Sequence, residues 1–502
     1  MKSWKIAGET HLATLTELLS ADFQFSIEHS DQLQLTVLDD FDWHIWRSGC
    51  LLVRRAERQL QFYRGRDLLA ELETSPNWRF WWQLPKGELV GLVQQRLGVR
   101  AFVPRYRCQL VTTAGVIRND DEKIVARLQS RSFFGAENGP VNSVEIVPLR
   151  GYQKDLQHIS RILGSAGIRP ATGDDLRSLL LESGMPVSVL PAKPTFELAA
   201  QELAESAVLR MAALLVELAR QQEAGLLADI DSEFTHQYRI NIRKARSLLS
   251  LFKKCLSAER WQRLKVALKE IGSATNLLRD LDVFLLAHDD YVNMLPEDFT
   301  PGLKQLFDRI KRRRVQVLKQ TVTRISSDAY QARTAELLDL LRAPADLATR
   351  QAGLPIKPLV SKKVLSQYRQ LCRDGLAIDS RTADEAVHAL RIESKKLRYL
   401  LELFAELYPK GQIKQLVALL KGLQDNLGRF NDFSVQAEFL REYAQRGRLS
   451  TAQQAGISGL VAVLFNRQRK ERSQVEANIA TFAAAAVAGR FQQLFAADPQ
   501  EK

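Results

Sequence analysis

The pattern His236, Arg239, Arg243, Lys244, Arg246 recurs 152 residues later as His388, Arg391, Lys395, Lys396, Arg398, in the same order and spacing. Its apolar neighbours recur with it: Ile240, Leu248, Leu249, Leu251 and Phe252 return as Ile392, Leu400, Leu401, Leu403 and Phe404. A cationic row repeated together with its apolar partners describes a duplicated helical unit. On a wheel of about 100° per residue, Arg246, Arg239, Arg243 and His236 share an arc of roughly 80°. Ile240, Leu251, Leu248, Phe252, Tyr238, Leu249 and Ile242 spread over about 200° of the rest, with Lys244 inside that apolar arc. A helix covered on several sides directs its cations into a wet groove or channel between helices.

A basic stripe is usually a solvated face or is neutralised by carboxylates one turn away. Here the carboxylates are scarce. No Asp or Glu occurs between His236 and Lys254, and in the second copy Glu393 falls on the apolar side while only Glu402 approaches the stripe. Two such rows in one duplicated fold repel each other and call for a compensating anion.

Both copies resemble the signature helices of the CHAD domain, the conserved histidine α-helical domain, with His, two residues, Arg, three residues, a basic pair, one residue, Arg. The segments LLRDLDVFLLA (277–287) and NLGRFNDFSVQAEFL (426–440) resemble the Asp-containing helix that follows each signature. The resemblance spans roughly 196–495. It implies two four-helix bundles about a pseudo-twofold axis and a basic central cavity that binds inorganic polyphosphate through the ten cationic positions above. Lys253, Lys362, Arg369 and Arg373 are further candidate contacts, the last three sharing one helix face.

Charge follows the same division. The chain has 71 Lys+Arg and 58 Asp+Glu for a net of +13; residues 1–194 hold 24 and 22 of these, residues 195–502 hold 47 and 36. With 502 residues and 45% hydrophobic content, the chain can bury two to four domain-sized cores. Four scattered cysteines without a CxxC pair point to neither a disulfide framework nor a cysteine zinc site. No secretory signal or membrane-spanning run is visible, which predicts a cytoplasmic protein, with polyphosphate granules as a possible partner structure.

Three prolines in MPVSVLPAKPT (185–195) mark a stiff seam. The expected organisation is a domain over 1–184, this linker, and a helical domain over 196–502 with repeats near 196–342 and 359–495. Before the seam, QLQLTVLD, CLLVRR, QLQFYRG, RCQLVTT, KIVARLQ and NSVEIVPL read as strands, with turns at RNDD and GAENGP. After it, helical periods cover 197–225, 233–256, 258–288, 301–326, 359–375, 382–408, 411–442 and 452–486. The fold class is therefore α+β multidomain, a β-barrel-like antiparallel domain followed by an all-α domain.

VLDDFDWHIWRSGCLLVRR and VNSVEIVPLRGYQKDLQHISRILGSAGIRPA resemble strands and a helix of CYTH domains, the triphosphate tunnel enzymes. That chemistry requires Glu, Glu and Lys alternating on the first strand to hold divalent metal and phosphate. SWKIAGE offers no such triad, and Glu145 stands where the family has two carboxylates. The resemblance thus implies a degenerate barrel, lined by some of Arg54, Arg55, Arg64, Arg105, Arg107 and Arg127, with Asp39, Asp40 or Asp42 as remaining acidic candidates. A hydrolase reading is disfavoured on those missing ligands, and no cofactor or metal is expected.

Guanidinium groups bridge two phosphate oxygens whereas Lys acts as a mobile point charge, and steps of three and four residues present donors about every 5 Å along a helix. His236 and His388 near their helix amino termini are disfavoured as cations by the dipole, and too few ligands surround them for zinc. Single-strand nucleic-acid binding interleaves stacking aromatics, and only Tyr399 accompanies the stripes. KRRR at 311–314 reads as a solvated basic turn, and Trp78, Phe80, Trp81 and Trp82 as a packing or domain-contact patch.

Overall fold

The computed structural model describes residues 2–6, 11–75, 77–135, 139–168, 170, 176–187, 196–379, 381–446 and 449–496. Most of the Pro-rich seam (188–195), Ala7–Thr10 of the first-strand region, and the centre of GAENGP lie outside the described residues. The chain divides into two compact units, Met1–Ala192 and Lys193–Lys502.

The first unit carries β1 (Lys2–Lys5), α1 (His11–Leu19), β2 (Gln24–Asp39), α2 (His44–Arg47), β3 (Cys50–Arg55), β4 (Gln59–Arg64), β5 (Asp67–Glu73), α3 (Glu88–Leu97), β6 (Val103–Arg118), β7 (Ile124–Phe134), β8 (Val141–Pro148), α4 (Gln153–Ser165) and α5 (Leu176–Glu182). Its strands form one antiparallel sheet in the order β1-β8-β7-β6-β2-β3-β4-β5. The period of two explains the apolar run CLLV. Leu51 and Val53 face a core with Leu35, Val37, Cys108, Leu110 and Phe133, while Cys50 and Leu52 face Leu89, Val93 and Leu97 of α3. Both faces of the sheet are covered, so strands here show no polar alternation. In the aromatic patch, Trp78 packs edge-on against Phe102 and Phe80 stacks on Trp82 at 4.4 Å.

The second unit holds α6 (Ala204–Arg220), α7 (Glu223–Leu227), α8 (Ser232–Leu251), α9 (Ala258–Ser273), α10 (Asn276–Leu286), α11 (His288–Val292), α12 (Thr300–Ile325), α13 (Asp328–Arg342), α14 (Ile356–Leu376), α15 (Asp384–Leu403), α16 (Lys410–Arg446), α17 (Thr451–Ala483) and α18 (Ala485–Phe495). The 152-residue offset carries into the backbone. The first residues of α6, α8 and α9 map onto those of α14, α15 and α16, and the caps Phe252 and Phe404 share φ of −106° and −107°. Equivalent residues also meet each other. Leu203 bridges Pro355, Ala204 N donates to Leu354 O at 2.9 Å while Ile356 N donates to Glu202 O at 2.8 Å, and the rings of Phe252 and Phe404 lie 5.3 Å apart. Self-reciprocal contacts of this kind define a pseudo-twofold axis.

The helix grouping is richer than two separate bundles. α6, α8, α9 and α13 pack together, as do α14, α15, α16 and α18. A third core then joins both repeats: Leu278, Leu281 and Phe284 of α10 and Phe307 and Ile310 of α12 pack with Leu440 of α16 and Leu460 and Leu464 of α17. The second repeat runs α16 unbroken where the first is interrupted between α9 and α10.

Candidate functional site

Asp231 begins α8 by accepting hydrogen bonds from the amides of Glu233 (2.9 Å) and Phe234 (3.3 Å), the usual way an orphan helix terminus is satisfied. Phe234, Tyr238, Ile242, Ala245, Leu248 and Leu249 are buried, which turns the cationic stripe towards α15. Between these helices and α9 lies a cavity of about 420 Å3. Arg243 and Arg246 reach it from α8, His388, Arg391, Lys395, Lys396 and Tyr399 from α15, and Trp261 and Lys265 from α9. No Asp or Glu is among its described lining residues.

Of the ten signature positions, six therefore line one cavity. His236 and Arg239 stand beside it, close enough to Arg243 for mutual repulsion. Lys244 is half-buried outside the lining. Arg398 is held by Glu402 at 2.8 Å and by Gln424 at 3.2 Å, and Lys396 pairs with Glu393 at 2.6 Å. Lys253, Lys362, Arg369 and Arg373 are exposed and do not line the cavity; Arg369 donates to Gln492 at 3.2 Å. KRRR is not one uniform solvated turn. Lys311, Arg312 and Arg313 are exposed on α12, whereas Arg314 turns inward to Asp229 and Asp282, both at 2.6 Å.

The stripes are not wholly uncompensated. The Asp280 carboxylate acts on Arg239, and at the equivalent position 152 residues on, Asp432 contacts Arg391 at 3.4 Å. These carboxylates come from α10 and α16, inside LLRDLD and RFND, and a search confined to each stripe's own helix misses them. Lys265, Trp261 and Arg279 were also not singled out from the sequence, because their proximity to the stripes depends on how α9 and α10 fold back.

Cationic crowding persists despite the two Asp residues. Burial, then Arg391 and Arg243, pushes Lys395 down to about 8, and burial, then Arg279, Arg243 and Arg239, pushes His236 down to about 3. Arg239, Arg279 and Arg391 are lowered chiefly by burial. The Nε of Arg239 and the Nε of Arg391, equivalent atoms in the two repeats, are buried and find no acceptor among the described residues, although buried donors are normally paired.

The depressed histidine has a stability consequence. Between pH 6.5 and about 3 the unfolded chain binds a proton at His236 that the folded chain refuses, so the stability present above pH 6.5 declines as pH falls through that window. Thermal unfolding followed by helical ellipticity is expected to show a midpoint that drops between pH 7 and 5, and His236→Asn is expected to flatten that drop. An unchanged slope in the variant would mean that other groups carry the acid sensitivity.

The CHAD domain family model matches residues 210–441, which contain both stripes and the cavity. That stretch is a CHAD domain. The fold agrees: the crystal structure of the CHAD domain from the plant Ricinus communis superposes with a TM-score of 0.50 at 22% identity, covering 59% of this chain and 98% of the other. PptA from Streptomyces chartreusis is a more remote neighbour, with a TM-score of 0.43, 14% identity, and coverage of 55% of this chain and 99% of that one. No curated protein matches the chain in sequence. The antiparallel sheet preceding the CHAD domain is consistent with a CYTH-like fold.

That sheet encloses its own cavity of about 330 Å3, lined in part by Arg55, Arg66, Arg131, Gln61, Tyr63, Gln129 and Glu145. Of the arginines proposed as lining, only Arg55 takes that place; Arg105 instead covers the Trp43 ring at 4.3 Å. Glu145 pairs with Arg131 at 3.5 Å. The acidic turn is committed elsewhere. Asp39 accepts the amides of Asp40, Ile45 and Trp46 at 2.8, 3.0 and 2.8 Å, Asp40 holds the His44 ring at 2.5 Å, and Asp42 holds Arg100. Among the described residues no group of three or more His, Cys, Asp or Glu could hold a metal ion.

Proposed function

We propose that the CHAD domain binds inorganic polyphosphate in the cavity between α8 and α15, without catalysis. The observation that carries this reading is the convergence of Arg243, Arg246, Lys265, Arg391, Lys395 and Lys396 on one cavity with no lining carboxylate. A linear polyanion supplies closely spaced acceptors for the buried guanidinium donors and relieves the repulsion that depresses Lys395. Arg239 and His236 act beside the cavity, the latter as a neutral donor. No described helix is long and apolar enough to cross a membrane; a cytoplasmic location, and association with polyphosphate granules, belong to the same proposal.

Titration of the full chain with long-chain polyphosphate and with single-stranded DNA of equal charge tests it. Polyphosphate is expected to bind more tightly, because bases find few stacking partners: Tyr399 is buried and Trp261 is one ring. Equal affinity would reduce the site to a general polyanion surface.

A hydrolase reading of the first unit is opposed by Glu145, the single carboxylate among the described lining residues of its cavity, being tied to Arg131. In-line phosphoryl transfer with divalent metal needs several converging oxygen ligands. Orthophosphate release from tripolyphosphate with Mg2+ or Mn2+ is expected to be the same in the native chain and in Glu145→Ala, at background level. Release well above that variant would restore an enzymatic role.

A further inference from the structure

The cavity of about 330 Å3 in the first unit changes character along its strands. Cross-strand register sets Leu110 opposite Phe133, then Thr112 opposite Arg131, then Gln129 opposite Glu145, and all six line the cavity. On β3 the step is the same: Val53 and Arg55, two residues apart and so on one face, also line it. Val53, Leu110 and Phe133 are buried and continue into a core with Leu51, Leu179 and Leu180. The exposed lining residues, Arg66 and Gln129, are polar. Three arginines, Arg55, Arg66 and Arg131, stand against the one carboxylate of Glu145, a net of +2 among the described lining residues. Arg55 and Arg131 both lie near enough to the Tyr63 hydroxyl to act on it, and the Arg55 Nε is buried and finds no acceptor among the described residues.

We propose that this cavity binds a small organic anion, a phosphate monoester or a carboxylate on an apolar body, with the charged head at Arg55 and Arg131 and the body against Val53, Leu110 and Phe133. Binding pockets for small molecules are mostly apolar with a few placed polar groups that fix orientation, and this lining has both. Its volume lies at the low end of the usual range of about 300–1,000 Å3, which suits a small molecule. A phosphate monoester carries a charge of about −1.5 to −2 at neutral pH, which matches the net of +2. An inorganic triphosphate fits badly, because it is charged along its whole length. Some of its oxygens would lie against Leu110 and Phe133, which offer no side-chain donor, and a buried charge without a partner is costly. The proposal concerns the first unit and does not depend on polyphosphate binding by the CHAD domain.

Titration calorimetry of the full chain with octyl phosphate and with octanoate, each below its micelle threshold, is the test, with shorter alkyl phosphates, octylamine and tripolyphosphate beside them. One octyl phosphate is expected to bind per chain, with affinity falling about fourfold for each methylene removed from the body. Octylamine, the same body under a cationic head, is expected not to bind. Whichever of octyl phosphate and octanoate binds more tightly identifies the head group. Arg55→Met, which keeps the stem and removes the charge, is expected to weaken binding at least about tenfold. Failure of both anions to bind, an affinity indifferent to body length, or octylamine binding as well as octyl phosphate would overturn the proposal. So would undiminished affinity in a folded Arg55→Met chain, or displacement of octyl phosphate by tripolyphosphate at equal concentration, which would make the cavity a site for inorganic phosphate chains. The ligand series is read on the native chain, so it decides the matter even if Arg55→Met does not fold.

Discussion

Replacing Arg391 by Ala lowers polyphosphate affinity by one to two orders of magnitude, and the Arg243→Ala/Arg391→Ala pair lowers it further. Each lost hydrogen bond between charged groups costs about 1.5–3 kcal/mol, and about 1.4 kcal/mol is tenfold in affinity. Both side chains line the cavity from opposite repeats, so the pair removes one donor from each wall. The fold is expected to survive: neither side chain belongs to the apolar core, and removing Arg243 relieves the repulsion that depresses Lys395. Lys311→Ala/Arg312→Ala, on exposed positions of α12 outside the cavity, should change affinity little. Titration of the two double variants beside the native chain checks this. Comparable losses in both would replace the cavity by a diffuse electrostatic surface.

Salt should act as strongly as any substitution. Six cations face the ligand without a lining carboxylate, and each phosphate they neutralise releases condensed counterions. For a nucleic-acid polyanion, six to ten such contacts cost about 10³–10⁵ in affinity between about 50 and 200 mM salt. Inorganic polyphosphate, with a charge per residue at similar density, should show a fall of at least about a thousandfold. In the Arg243→Ala/Arg391→Ala variant the slope of log affinity against log salt should decrease by about two. A shallow slope in the native chain would mean that few cations touch the ligand.

Where local pattern and final contacts coincide, the sequence was legible. The 152-residue repeat located both stripe helices, and the resemblance to the CHAD signature implied the axis between them, across which duplicated residues meet their own equivalents, as Phe252 and Phe404 do. CLLVRR matched β3 end to end, since a short apolar run bounded by turn residues has few other options. β5 and α13 escaped notice. β5 is a largely exposed edge strand, and α13 begins after a two-residue break, beyond the helical period read over 301–326.

The site was legible in its cations and opaque in its surroundings. A helical wheel ranks residues on one helix, so it aligned His236, Arg239, Arg243 and Arg246, and the repeat added Arg391 and Lys395, but neither sees a neighbour supplied by another element. Asp280 and Asp432, which temper Arg239 and Arg391, come from α10 and α16, and Lys265 from α9. Arg314 shows the converse error. Its neighbours 311–313 are solvated, yet one helical step turns it towards Asp229 and Asp282. Charge runs on a long helix visit both faces within four residues.

The measurement that bears most directly on polyphosphate binding in the cavity is a crystal structure of the full chain soaked with polyphosphate. Phosphate density is predicted between α8 and α15, within hydrogen-bonding reach of Arg243, Arg391 and Lys395. Density confined to the exposed cations of α12, or to the cavity of the first unit, would contradict it.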